Sequence, residues 1–459
     1  MKTLLAATLA LLSAACATTT TTQLQPCDVP GIKASTRCAS VSVPESRKNR
    51  GTREIGIHVI VIPAAGPTHQ PDPIVVLGGG PGQSGQLIAP VVSAELADAN
   101  KSRDLVFVDQ RGTGKSNPLN CTNGFQIMDG TDTEQTKRCI RELATSGDLA
   151  QYTTDSAADD LHDVISSLGY SRVNLVAGSY GTRLSLVFAQ RYPRQVRTMT
   201  LRALAPAGFN ILQSGTMNLA FQLERLFADC AADARCHAAY PNLRDDFYKL
   251  RAKLAAEPLQ LPTVKITRFL LDQTIYALML SAPSRQQVPF IVTKAASGDY
   301  STLGAVAVQL RDALYGTLPV GMYLSIVCTE DAPRLTAADI AEMDRTLEGF
   351  ATNIADACRE WSRGRVAPEL TRPAKIDTPT LVISGGLDPA TPPASAEKGL
   401  PQLARSKHVV VPTAAHGPMF PGCVKDIVTR FIETMETAVD ASCAAAVPLA
   451  PFAVPPPTK

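Results

Sequence analysis

Neither sign of charge predominates in this chain of 459 residues. Lys and Arg number 44 against 42 Asp and Glu, a formal net charge of +2, and the two kinds are interspersed. With no excess there is neither the basic face that nucleic acid requires nor the polybasic patch that an anionic membrane attracts. Long hydrophobic runs are also missing. The apolar stretch from Thr3 to Leu12 is too short to span a bilayer. With Lys2 before it and Ser13-Ala14-Ala15-Cys16 after it, residues 1–22 have the anatomy of an export signal and spacer. Cys16 leaves two products open: simple cleavage, or a lipoprotein whose acylated thiol is a lipid anchor, although Ser13 stands where such sites usually carry Leu.

Metal-type CxxC spacing is absent as well, and no metal is expected. Setting Cys16 aside, ten of the 11 cysteines fall in neighbouring couples. An even number in an exported chain favours disulfides, though sequence does not determine connectivity. The reading is five local staples: Cys27–Cys38, Cys121–Cys139, Cys230–Cys236, Cys328–Cys358 and Cys423–Cys443. Otherwise the composition is ordinary for a chain with a real core, 45% hydrophobic and 19% charged. Its length suits one large α/β domain with an insertion, or two domains.

One further absence settles an ambiguity. DQRGTGKS (109–116) ends like a phosphate-binding P-loop, but the motif G-x-x-x-x-G-K-[ST] needs a glycine five positions before Gly114. Asp109 stands there instead. No nucleotide, and no other cofactor, is expected.

What is present is a series of short apolar runs ending in turn residues, at 54–64, 73–80, 104–112, 173–181, 378–388 and 407–417. The later ones are nearly continuous in apolar residues, as strands buried on both faces of a parallel sheet are. Helical spacing lies between some of them, as at 155–169, where Leu161, Val164, Ile165 and Leu168 share a face. Alternation of this kind predicts an α/β fold. From 205 to 375 the strand-then-turn punctuation thins and Leu219, Leu223, Leu226 and Phe227 follow helical spacing. The expected division is therefore a core over 23–204 and 376–443, a mainly helical cap insertion over 205–375, and a Pro-rich tail over 444–459.

VNLVAGSYGTRL (173–184) carries the most information: an apolar strand meets Gly178-Ser179-Tyr180-Gly181 and a helix-compatible run follows. This is the nucleophile elbow of α/β-hydrolases, a tight turn that lifts one hydroxyl above the sheet. Small flanks are needed two residues either side. Gly181 meets that need, and Ala177 departs from it by one methyl. A hydroxyl needs a base and a group to orient that base, and in this fold the order is serine, acid, histidine. Asp388 ends one late apolar run and His416 ends the next. Of only six histidines, His416 alone combines a late position with a strand-end, Gly-flanked loop; His162 sits inside a helical pattern. Such a base implies loss of activity on the acid side of roughly pH 6.5. The N–H of Tyr180 and that of Gly80, in the strand-ending LGGGPGQSG, are the expected oxyanion donors, with Gly79 as the alternative to Gly80.

GGGPGQSG (78–85), VFVDQRGTGKS (106–116), AGSYGT (177–182), GGLDPATPP (385–393) and AAHG (414–417) resemble, in content and order, the prolyl aminopeptidase-type α/β-hydrolases. The chain looks most like their secreted, tripeptidyl-aminopeptidase-like branch with its C-terminal TAP-like segment, over Cys27 to Cys443. The resemblance implies an α/β-hydrolase fold with a mostly parallel sheet, a buttressing role for Asp109 and Arg111, and cleavage of short peptides from a free N-terminus. It departs from the pattern at Gly78, where cytosolic relatives often have His, and at Ala177. In VCTEDAPR (327–334), Glu330, with Asp331 second, stands where an acid that could hold the substrate ammonium is expected. The alternative is an esterase or amidase using the same three residues on small substrates. A catalytically dead binding module would lack one of the three, and none is missing. The partner expected is a peptide, the location exported, and the protein a monomer.

Overall fold

The computed structural model describes residues 22–48, 53–121, 133–310, 318–418 and 420–455. The export segment and Cys16 lie outside them. Strands form at β1 (Gln25–Cys27), β2 (Thr36–Pro44), β3 (Glu54–Ile62), β4 (Ile74–Leu77), β5 (Leu105–Val108), β6 (Val173–Gly178), β7 (Val196–Arg202), β8 (Leu259–Gln260), β9 (Lys265–Ile266), β10 (Thr380–Gly385) and β11 (Ser406–Val411). All but β8 and β9, which pair with each other, join one sheet in the order β1-β2-β3-β5-β4-β6-β7-β10-β11. The pairings among β1, β2, β3 and β5 are antiparallel. From β5 to β11 every pairing is parallel.

Successive side chains of a strand point to opposite faces, and both faces here are covered. Val75, Leu77, Val106, Val108 and Leu175 pack with Leu161, Val187 and Phe188 from α3 (Thr154–Ser167) and α4 (Tyr180–Arg191). Their neighbours Ile74, Val76, Leu105 and Phe107 pack instead with Ala89 and Val92 of α1 (Gly85–Glu95) and with Phe431 of α17 (Val424–Thr434). Burial on both sides is why these strands are apolar at consecutive positions rather than at alternate ones. The remaining core helices are α2 (Thr133–Leu143) and α16 (Pro393–Gly399).

Between β7 and β10 the described residues are mainly helical, apart from the β8–β9 pair. The helices are α5 (Ile211–Ala232), α6 (Ala234–Ala239), α7 (Leu243–Ala256), α8 (Arg268–Met279), α9 (Ala282–Arg285), α10 (Val288–Ala296), α11 (Ser301–Leu310), α12 (Val320–Glu330), α13 (Ala337–Thr346), α14 (Phe350–Glu360) and α15 (Pro368–Thr371). Much of this region has a core of its own, built on Leu226, Phe247, Leu271 and Ile291. A second cluster joins it to the sheet: Met322, Ile326 and Trp361 pack in one group with Tyr180, the first residue of α4. The described part of the Pro-rich tail, beyond the 3₁₀ turn at Ser442–Ala446, is docked. Phe452 enters the helical core, and the Ala453 N–H donates to the Gln286 carbonyl at 3.0 Å.

Disulfides join Cys27 to Cys38, Cys121 to Cys139, Cys230 to Cys236, Cys328 to Cys358 and Cys423 to Cys443. The P-loop lookalike is a packed turn. Asp109 accepts from the Gln86 and Lys115 N–H groups, each at 2.9 Å, and faces His58 Nδ1 at 3.1 Å. Arg111, fully buried, grips Asp160 through Nε at 2.6 Å and Nη2 at 2.7 Å. Both side chains brace loops next to the sheet's carboxyl ends.

Candidate active site

β6 runs straight into α4, and the residue at the junction is Ser179, with φ +54° and ψ −128°. A left-handed φ is costly for a residue with a Cβ and marks strain held by its surroundings. Those surroundings are visible: the Ser179 N–H donates to the Arg202 carbonyl at 2.9 Å. A Cβ at Gly181 would sit 2.6 Å from the Leu77 carbonyl oxygen and 2.7 Å from that of Gly78, all rigid backbone. Gly181→Ala should therefore push α4 off β4, costing about 1–3 kcal/mol and most of the activity. Thermal unfolding and rate measured together check this, and an unchanged melting temperature would contradict it. At the other flank Ala177 is fully buried within the sheet core, so its extra methyl is accommodated.

Asp388 follows β10 and is fully buried. Its Oδ1 accepts from the Ala390 N–H at 2.7 Å and the Thr391 N–H at 3.0 Å, and its Oδ2 from Thr391 Oγ1 at 2.9 Å. His416, in the loop after β11, places Nδ1 at 2.9 Å from Oδ2 and 3.1 Å from Oδ1. Burial pushes the Asp388 pKa up, but the His416 interaction, the Arg202 charge and the Thr391 N–H outweigh it and hold the carboxyl well below the usual carboxylate range. The His416 loop is also tied to the helical region, since the Gly417 N–H donates to the Leu280 carbonyl at 3.0 Å.

Ser179, Tyr180, Gly80, Thr391 and His416 all border one cavity of about 460 Å³, within the size range of small-ligand sites. Among the described residues, neither the Ser179 hydroxyl nor His416 Nε2 makes a hydrogen bond; such contacts commonly tighten only with substrate bound. Gly80 has φ +103°, a conformation suited to glycine, and lies at the cavity wall. The Gly79 N–H donates to Gln83 Oε1 at 3.0 Å, and a Cβ on Gly79 would lie 3.0 Å from Ser179 Cβ. The wall facing this group comes from the helical region and includes Tyr276, Leu280, Leu318, Tyr323, Leu347 and Phe350. Among the described residues no Asp, Glu, Lys or Arg lines the cavity.

Glu330 and Asp331 are placed differently from the expected ammonium anchor. Neither borders the cavity. Glu330 accepts from the Thr154 N–H at 2.9 Å, from Thr154 Oγ1 at 2.8 Å and from Arg183 Nη1 at 3.1 Å. Asp331 takes both Arg183 Nη1 at 2.9 Å and Nη2 at 3.0 Å. Arg183 is a buried cation on the elbow helix, and a buried charge needs paired partners; these two acids are those partners. The sequence could have hinted at this, because Arg183 lies one turn into a helix whose sequence marks it as buried. Thr391 and Arg202 were also not singled out. Asp388-Pro-Ala-Thr391 is a legible Asp-led turn, whereas nothing local marks Arg202.

The family described as alpha/beta hydrolase fold matches residues 72–422. A tripeptidyl aminopeptidase of Streptomyces lividans is 26% identical, the alignment covering 89% of this chain and 83% of that one. The serine protease Hip1 of Mycobacterium tuberculosis is 25% identical over 86% of this chain and 84% of its own. Among solved structures, a proline iminopeptidase of Mycobacterium smegmatis aligns with 87% of this chain and all of its own, at 18% identity and a TM-score of 0.40.

Proposed function

Since this chain belongs to the alpha/beta hydrolase fold family, we propose that it is an exported serine peptidase that removes short peptides from a free N-terminus through an acyl-enzyme on Ser179. The coarser statement, a serine hydrolase of peptidase type, stands on the near-full-length relatives. The observation that carries the acyl-enzyme chemistry is the strained Ser179 bordering the same cavity as a histidine whose Nδ1 is held by a buried carboxylate, and the relative named a tripeptidyl aminopeptidase supports a peptide substrate with a free N-terminus.

In this reading His416 Nε2 takes the Ser179 proton as Oγ attacks the scissile carbonyl, and Asp388 keeps Nδ1 protonated and stabilises the imidazolium. The Gly80 and Tyr180 N–H groups receive the oxyanion, a contribution worth on the order of 3 kcal/mol per donor. His416 then protonates the leaving amine, and water, activated by the same ring, hydrolyses the ester. Residues 205–375 act as the cap, closing the cavity over the acyl side and limiting the length of peptide accepted. Residues 23–204 and 376–443 form the core beneath. The leader over 1–22 and the five disulfides support export; Cys16 is where a lipid anchor would be attached.

One observation favours a second reading, an esterase or amidase: the cavity wall carries no fixed charge among its described residues. Free and N-acetylated aminoacyl-, dipeptidyl- and tripeptidyl-anilides, compared with nitrophenyl butyrate, separate the two. The peptidase reading expects the free tripeptidyl anilides to be cleaved fastest; turnover of the butyrate ester alone would overturn it. Glu330→Gln belongs to the same panel. It should lower stability by about 2 kcal/mol and reduce peptide and ester cleavage by the same factor. A loss confined to free-amine substrates would return Glu330 to the role of ammonium anchor.

A further inference from the structure

Arg202 closes β7 at the register position between Gly178 of β6 and Ile383 of β10. Its backbone carbonyl accepts the Ser179 N–H at 2.9 Å. Its side chain, buried beneath the site, runs to the other two members of the group. Nη2 donates to the carbonyl of Ala415, the residue before His416, and Nη1 stands 3.8 Å from Asp388 Oδ2. One residue therefore touches the nucleophile's amide, the acid and the loop that carries the base. Nε and Nη1 have no hydrogen-bond partner among the described residues. A guanidinium with two unsatisfied donors is an expensive group to keep in a core, and simple packing does not account for it.

We propose that Arg202 is a positioning residue of the hydrolytic site, its fork fixing the His416 loop and its charge balancing the buried Asp388 carboxylate. The proposal rests on the reading of Ser179, His416 and Asp388 given above. The physical reason is that a buried carboxylate beside an imidazole stabilises the imidazolium, and a resting imidazolium cannot accept the serine proton. A cation 3.8 Å from the carboxylate opposes that stabilisation. The groups whose charges act here are Asp388 and His416 from the loops after β10 and β11, and Glu95 from the end of α1, whose charge acts on Arg202.

The test uses the second-order rate of Ser179 modification by a fluorophosphonate, followed by mass across pH, which needs no knowledge of the substrate. Arg202→Gln should move the acid limb of the profile to higher pH by about one unit and lower the plateau rate about tenfold. Arg202→Lys should keep the acid limb near that of the unaltered protein while still losing plateau rate. Glu95→Gln leaves the cation less offset and should move the acid limb the opposite way, to lower pH. An unmoved acid limb in Arg202→Gln overturns the proposal; if that variant does not fold, an unmoved limb in Glu95→Gln does so. Failure of the underlying reading is distinguishable, because the unaltered protein would then take no label at Ser179.

Discussion

Ser179→Ala removes hydrolysis of every substrate the protein accepts, with a loss of about 10⁶-fold where the assay allows it to be measured, and leaves the fold intact. The hydroxyl is the only atom lost, and it makes no hydrogen bond that the structure depends on. Alanine keeps the Cβ and with it the strain at φ +54°. Ser179→Gly separates the two properties. It is equally inactive, yet glycine adopts a positive φ without penalty, so the variant should be more stable by about 1 kcal/mol. Inactivity with a gain in melting temperature is the signature of a nucleophile held in a strained turn. More than a tenth of the original activity in either variant would mean that Ser179 is not the attacking group.

Asp388→Asn has the second-largest effect, a fall in kcat of about 10⁴-fold with little change in KM. An amide in this place offers an N–H where the imidazole also needs to donate, so the ring loses its orientation and its stabilised cation. The same variant makes a stability prediction with a defined sign. Burial opposes the charge on Asp388, yet His416 and Arg202 prevail and its folded-state pKa is depressed. A depressed carboxylate contributes stability above the unfolded-state value, near 3.9, and loses it as pH falls toward the folded-state value. The gap in unfolding free energy between the protein and Asp388→Asn should therefore close progressively below about pH 4. Urea unfolding at several pH values measures it; a gap independent of pH down to about 2 would show that the charge contributes nothing.

Among the legible strands are those buried on both faces. Runs at 73–80, 104–112 and 173–181 contain β4, β5 and β6, because burial on both sides leaves a continuous apolar string. β7 gave no such signal. VRTMTLR mixes polar residues among its apolar ones, and two of the buried polar residues have specific partners: Thr198 bonds Asn174 Oδ1 at 2.8 Å, and Arg202 pairs with Asp388. The helix expected at 155–169 is α3, Thr154–Ser167, since its stripe of Leu161, Val164 and Ile165 meets the sheet. Glu330 misled for the converse reason. An acid two residues after a cysteine has the same local sequence whether it faces substrate or a buried arginine, and only the packing of α12 against α4 distinguishes these.

Sequence alone determined the strand-turn-helix at Ser179, because it is written in residues close together along the chain, and it suggested the acid and histidine after it and the neighbouring cysteine couples that the structure joins. Tertiary structure alone decided that Arg183 consumes both acids of Glu330-Asp331, that the cavity wall is uncharged among its described residues, and that Arg202 sits beneath Asp388. Those are pairings between charges far apart in the chain. Their energies depend on distance and burial, which no local pattern records.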